Sequence, residues 1–419
     1  MRVAVARLAS IAILTAAGAI LGAQQQRPAG PATVTNEDLL NGLNDPTRWL
    51  MSGGNYSGQR HSPLTQITPE NVSRLQAQWT FQTEALGRLE TTSLLLDNVL
   101  YVTGPIGTHN LAWALDARTG REIWRFRREL PSGLTPCCRV NRGFGILGDR
   151  LFMTTRDAHL LALDIKTGSI VWDATMADHT KGAGGSLPPL IVKDKVVVGV
   201  LHAEYPTRAH IDAYEARTGK RIWRFYTVPG PGEPGNETWA GDSWQRGGGS
   251  IWQTGTYDPD LNLVYFGVGN PVPMYHSESR LGDNLYTDSI VALDADTGKL
   301  RWHYQNTPHD LHDWDSAQVP VLGDVRVGGR DRKVVMMANR NGFFYTLDRA
   351  TGELLVGKPY IQTTWAKEIG ADGRPILLPG YVPDEKGQFT CPDLTGGTNA
   401  KVFADAEDEA GATAILTFT

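Results

Sequence analysis

Cysteine is scarce in this 419-residue chain: there are three, two of them adjacent at Cys137 and Cys138, with Cys391 left over. That is too few for a disulfide-built scaffold, so the fold has to rest on an apolar core. No C-x-x-C-H occurs, so the chain carries no covalently attached c-type haem of its own. Charge of one sign is also lacking. The formal net charge of −5, with 20% charged residues, offers no basic surface for nucleic acid or for an anionic membrane. Long apolar runs are absent beyond the N-terminus. There, Arg2 and Arg7 precede the apolar stretch Leu8 to Leu21 and small residues ending at Ala23, the pattern of a secretory signal over 1–23. Export would place the rest in a compartment where disulfides persist. Residues 24–48 read as a lead-in, and 24–35, "QQQRPAGPATVT", as its flexible part.

What is abundant is glycine (46), proline (24) and tryptophan (12), a composition of many short strands and turns. Five segments repeat one pattern: "ALDARTGREIW" (114–124), "ALDIKTGSIVW" (162–172), "AYEARTGKRIW" (213–223), "ALDADTGKLRW" (292–302) and "TLDRATGELLV" (346–356). Each reads as a strand ending in an acid, a Thr-Gly turn and a second strand closed by Trp, or by Val356 in the last copy. Alternating strands such as "NVLYVTG" and "DKVVVGV" lie between them. A turn-strand-turn-strand unit of about 50 residues is one blade of a β-propeller. The expected class is therefore all-β, and the repeats themselves are structural. The interval between the third and fourth copies carries an insertion, "TVPGPGEPGNETWAGDSWQRGGGS", of the kind that shapes a site on one propeller face.

Chemistry concentrates between the repeats. "TPHDLHDWDSAQ" holds His309, Asp310, His312, Asp313 and Asp315 around Trp314. Taken alone it reads as a solvated acidic loop. Glu204 in "LHAEYPTR" and Asn270 in "GVGNP" each follow a strand end, which would aim them with Asp313 toward a propeller axis. Carboxylate and amide oxygens suit a hard cation rather than zinc.

These stretches, with "RHSPLTQI", "CCRVNRG", "ETWAGDSWQRGGGSIW", "GDNLYTDSIVALDADTGKLRWHYQNTPHD" and "NRNGFFYTLDR", resemble the quinoprotein alcohol dehydrogenases, the methanol and ethanol dehydrogenases that use pyrroloquinoline quinone (PQQ). The likeness runs from about Trp49 to Asn399. It implies an eight-bladed propeller with the quinone on its axis, of which this chain would supply about five to six blades over 49–400, followed by a tail at 401–419 outside the family pattern. It implies Glu204, Asn270, Asp313 and Asp315 as metal ligands, with Asp313 also the base that takes the alcohol proton and Arg340 the cation beside it. Asp315, two residues past the base, is the pattern of lanthanide-using relatives, whereas calcium-using ones carry a small residue there; the expected ion is Ca2+ or, in preference, a lanthanide. Quinone contacts fall to Arg142, Ser186, Trp252, Arg340 and Asn399. Cys137 and Cys138 would form a vicinal disulfide against the ring, although the family has one more residue between "CC" and "VNRG". His312 stands where Trp is usual and reads as an orienting residue; Asp310 reads as structural. Expected partners are a small alcohol, a soluble or membrane cytochrome c as electron acceptor and a second copy of the chain in a homodimer, in the periplasm. The alternative is a non-catalytic propeller of the same repeat type, an outer-membrane assembly scaffold or binding platform, or an inactive fragment.

Overall fold

The computed structural model describes residues 33–134, 139–202, 204–379, 388–391 and 400–403. They form five four-stranded antiparallel sheets in chain order, each running first to fourth strand in sequence, followed by two two-stranded ladders. The first blade comprises Leu94–Leu96, Val99–Thr103, His109–Asp116 and Glu122–Glu129. The second runs from Gly145–Leu147 to Ile170–Thr175, the third from Leu190–Val192 to Arg221–Tyr226, the fourth from Thr256–Asp258 to Leu300–Gln305, and the fifth from Val321–Val327 to Leu354–Pro359. The ladders pair Ala366–Ile369 with Pro375–Leu377 and Gln388–Cys391 with Ala400–Phe403. The propeller class is thus as the repeats imply, within the expected five to six blades.

Each repeat is the hairpin from third to fourth strand. In the first, the Asp116 carboxylate accepts the N–H of Thr119 at 3.0 Å and its hydroxyl at 2.9 Å, while Gly120 N donates to Asp116 O at 2.8 Å. The same bonds recur at Asp164, Asp294 and Asp348, so D-x-x-T-G is a self-capping turn. The closing tryptophans do something the pattern alone did not show: each reaches into the next blade's turn. The indole N–H groups of Trp124, Trp172, Trp223 and Trp302 donate to Ile165 O, Ala216 O, Ala295 O and Arg349 O, the residues that follow the turn acids. A fifth such ring, Trp79, donates to Ala117 O of the first blade from outside the five sheets. The turn glycine is required twice over. At Gly298, φ is +70°, and a Cβ would stand 2.5 Å from the Trp223 ring. We expect Gly298→Ala to cost roughly 2–4 kcal/mol, from left-handed backbone strain plus overpacking; a lowered urea midpoint checks it.

Two segments outside the blades hold to them. Buried Val34, in the stretch read as flexible, pairs with Gly148 of the second blade, and Thr35 caps the helix Asn36–Leu40 in a capping box with Asp38. Residues 49–59 then strap first strands of distant blades. Trp49 bridges Leu95, Tyr56 O accepts from Tyr257 N at 3.1 Å, and Ser57 O accepts from Leu322 N at 2.9 Å. This strap ties the first blade to the fourth and fifth, while the chemistry collects in the turns between second and third strands and in the connections between blades.

Candidate active site

Glu204, Asn270 and Arg340 sit in the same structural place in three consecutive blades, just past the second strands Lys195–Gly199, Leu263–Gly267 and Arg330–Ala338. Asp313 and Asp315 arrive differently. They belong to the connection from the fourth blade's outer strand to the fifth blade's first. Asp310 shapes that connection. It is buried, with one carboxylate oxygen accepting His312 N at 2.9 Å and the other Trp314 N at 2.8 Å. Its carboxylate therefore folds the loop, as the structural reading held. The His312 ring stacks on Trp314 with centroids 5.6 Å apart, a packing role. Backbone strain gathers at the same spots: φ is +66° at Glu204, +58° at Asp313 and +49° at Asp315. Left-handed backbone at non-glycine residues persists only where the surroundings enforce it.

The side chains converge. Asp315 is the hub: one oxygen accepts Asn270 N at 3.1 Å, the other accepts Arg340 Nη1 at 2.8 Å, and the Trp252 indole also donates to it. Asn270 Nδ2 donates to Glu204 Oε2 at 3.0 Å. Arg340 Nη2 stands 3.8 Å from Asp313 Oδ2. Gly269 permits the approach, since a Cβ there would lie 2.6 Å from Asp315 Oδ1. Desolvation, then the charges of Asp315 and Glu204, push the Asp313 carboxyl up to about 7. Burial pushes Asp310 up to about 6. Asp315 and Glu204 are raised too, chiefly by burial; Glu204 nonetheless keeps contact with solvent and adds the repulsion of Asp315.

Among the described residues no three His, Cys, Asp or Glu side chains form a ready-made metal cage. The donor chemistry still fits a hard cation. Three carboxylates and an amide face one another, and part of the upward shift in Asp313 and Glu204 is mutual repulsion that a cation would cancel.

Beside this cluster lies a second one, joined to it through Trp252. Arg142 Nη1 donates to Ser186 Oγ at 2.8 Å and to Trp252 O at 3.2 Å, and its guanidinium lies 5.0 Å from the Trp252 ring centroid. Ser186 is fully buried and also donates to Trp252 O at 3.3 Å. Glu90, which the sequence reading missed, pairs with Arg142 Nη2 at 2.8 Å. No spacing or motif marks it, since "GRLETT" resembles any exposed polar stretch. The structure thus gathers Arg142, Ser186, Trp252, Glu204, Asn270, Asp313, Asp315 and Arg340. Cys137, Cys138 and Asn399 lie outside the described residues.

A tryptophan-docked propeller whose inter-strand turns bring together acids, an aromatic plane and paired arginines defines the class. Residues 49–363 match the family described as "PQQ: Glucose/ethanol/alcohol dehydrogenase, beta-propeller domain". The quinohemoprotein alcohol dehydrogenase ADH-IIG of Pseudomonas putida is 40% identical over 393 residues, 88% of this chain and 54% of its own length. A lanthanide-dependent methanol dehydrogenase of Methylacidiphilum fumariolicum (strain SolV) is 36% identical over 88% of this chain and 64% of its own length. A solved europium-containing methanol dehydrogenase superposes with a TM-score of 0.78 at 34% identity, covering 88% of this chain and 70% of that one. The chain belongs to the PQQ-dependent alcohol dehydrogenase family. It spans about half to two thirds of the length of these curated relatives.

Proposed function

We propose that the chain carries the catalytic half of a periplasmic quinoprotein dehydrogenase that oxidises a primary alcohol or similar hydroxyl compound. The observation that carries this reading is the single network linking Glu204, Asn270, Asp315, Arg340 and Trp252, with Asp313 at its edge and pushed up to about 7. Glu204, Asn270, Asp313 and Asp315 would hold the cation; Arg142, Ser186 and Trp252, with Cys137, Cys138 and Asn399 by family likeness, would hold the quinone. Bound together, the two supply a two-electron acceptor and a Lewis acid.

The protein's own part is proton handling and placement. Asp313 takes the alcohol's hydroxyl proton as general base. Its raised pKa suits that task near neutral pH, and the neighbouring Arg340 guanidinium favours the ionised form. Asp315 anchors Arg340 and so fixes its guanidinium beside the base. Arg142 offers a planar fork to a carboxylate, and Trp252 offers a flat apolar floor. Electrons would leave to a separate cytochrome c.

Reconstitution tests the reading: quinone is added with Ca2+ or La3+, and dye reduction is followed with alcohols. Quinone uptake and alcohol-dependent reduction are expected. Absence of quinone binding with either ion would favour the alternative of a non-catalytic platform.

A further inference from the structure

Arg280 is fully buried, a costly place for a guanidinium unless its hydrogens are used. They are spent mainly on main-chain carbonyls. Its Nε donates to Pro273 O at 2.8 Å, and Nη2 donates to Met274 O at 2.9 Å and to Asp310 O. Nη1 donates to the Asn284 side-chain oxygen at 2.8 Å, and the Asn284 amide returns a bond to Arg280 O at 2.7 Å. Pro273 and Met274 lie in the loop that leaves Asn270. Asp310 lies in the loop of Asp313 and Asp315, where its carboxylate is already committed to the His312 and Trp314 amides. One side chain therefore joins the two loops that supply Asn270 on one side and both acids on the other.

We propose that Arg280 is a positioning residue: by clasping the loop that leaves Asn270 to the Asp310–Asp315 loop it sets the spacing of the cation-binding oxygens. What the oxygens bind rests on the reading above; the clasp does not. A planar fork with several donors can serve Pro273, Met274 and Asp310 at once, which a lysine ammonium cannot do in that geometry.

The test uses the full chain as Arg280→Lys, with Arg349→Lys as control. Arg349 is also buried but pairs with Asp258 and Asp324 at a blade turn. Amide hydrogen exchange is expected to quicken in both 271–276 and 308–318 in R280K and in neither segment in R349K. Tryptophan-sensitised Tb3+ emission is expected to show affinity weakened about tenfold or more in R280K alone, the size of effect that lost support of a ligand produces. Faster exchange confined to 276–284 with unchanged Tb3+ affinity overturns the proposal. Joint loosening of the two loops in a protein whose wild type takes no Tb3+ upholds the clasp and refutes the cation reading instead. Should R280K not fold, Asn284→Gly, which keeps the left-handed backbone there (φ +61°) and removes one anchor of the guanidinium, is read by the same two measurements.

Discussion

Asp313→Asn lowers dye-coupled kcat by roughly 10²–10⁴-fold, the range of a lost general base, while the protein stays folded. The amide keeps the shape and one ligand oxygen of the carboxylate but cannot take a proton. Its effect on stability runs the other way, and the sign can be fixed. The Asp313 carboxyl titrates near 3.8 unfolded and about 7 in the cation-free fold, so between these values the native state binds more protons. Stability contributed by this group therefore falls as pH rises from about 4 to about 7, and the cost is complete above that. Cation-free D313N should melt level with wild type near pH 4 and higher than wild type at pH 8. A variant that turns over normally, or that melts lower than wild type at pH 8, would sink the assignment of Asp313 as a base held in a carboxylate-rich pocket.

The fold was legible because its signal is repeated. Four D-x-x-T-G hairpins report the same local bonds, the third copy carries Glu215 in place of the Asp, and in all five the glycine is needed both for its own φ and for the neighbouring tryptophan. Trp79 and the 49–59 strap were not legible, because each occurs once and acts between elements far apart in sequence. The site was legible in part. Glu204, Asn270 and Arg340 stand at equivalent turns, so the repeat locates them. Asp315 could be named from its place beside Asp313, but its hub role depends on Asn270 N and Arg340 meeting it from two other turns. Glu90 and Arg280 gave no pattern at all. The first acts by pairing with Arg142 across 52 residues, and the second through carbonyl oxygens that every residue possesses.

Asp315→Ala should weaken trivalent cation binding about 100-fold or more and Ca2+ binding about tenfold, since affinity at oxygen sites follows the count of ligand charges and the Coulomb loss scales with the ion's charge. Two consequences reinforce the trivalent loss. Arg340 would lose its Asp315 partner at 2.8 Å and swing toward Asp313, adding a competing positive charge where the ion must sit. Trp252 and the Asn270 amide would lose a common acceptor, loosening the floor and one ligand together. The pH dependence separates charge from shape. Glu204, Asp313 and Asp315 are all raised by burial, so cation uptake has to expel protons, and wild-type affinity should climb from pH 5 to pH 8. Removing Asp315 takes away one titrating group and much of the repulsion on Asp313, so D315A should show a shallower climb. Tb3+ and Ca2+ titrations of both proteins at pH 5, 6.5 and 8 measure this. Equal losses for the two ions would mean that Asp315 serves as an anchor for Arg340 and does not select a trivalent cation.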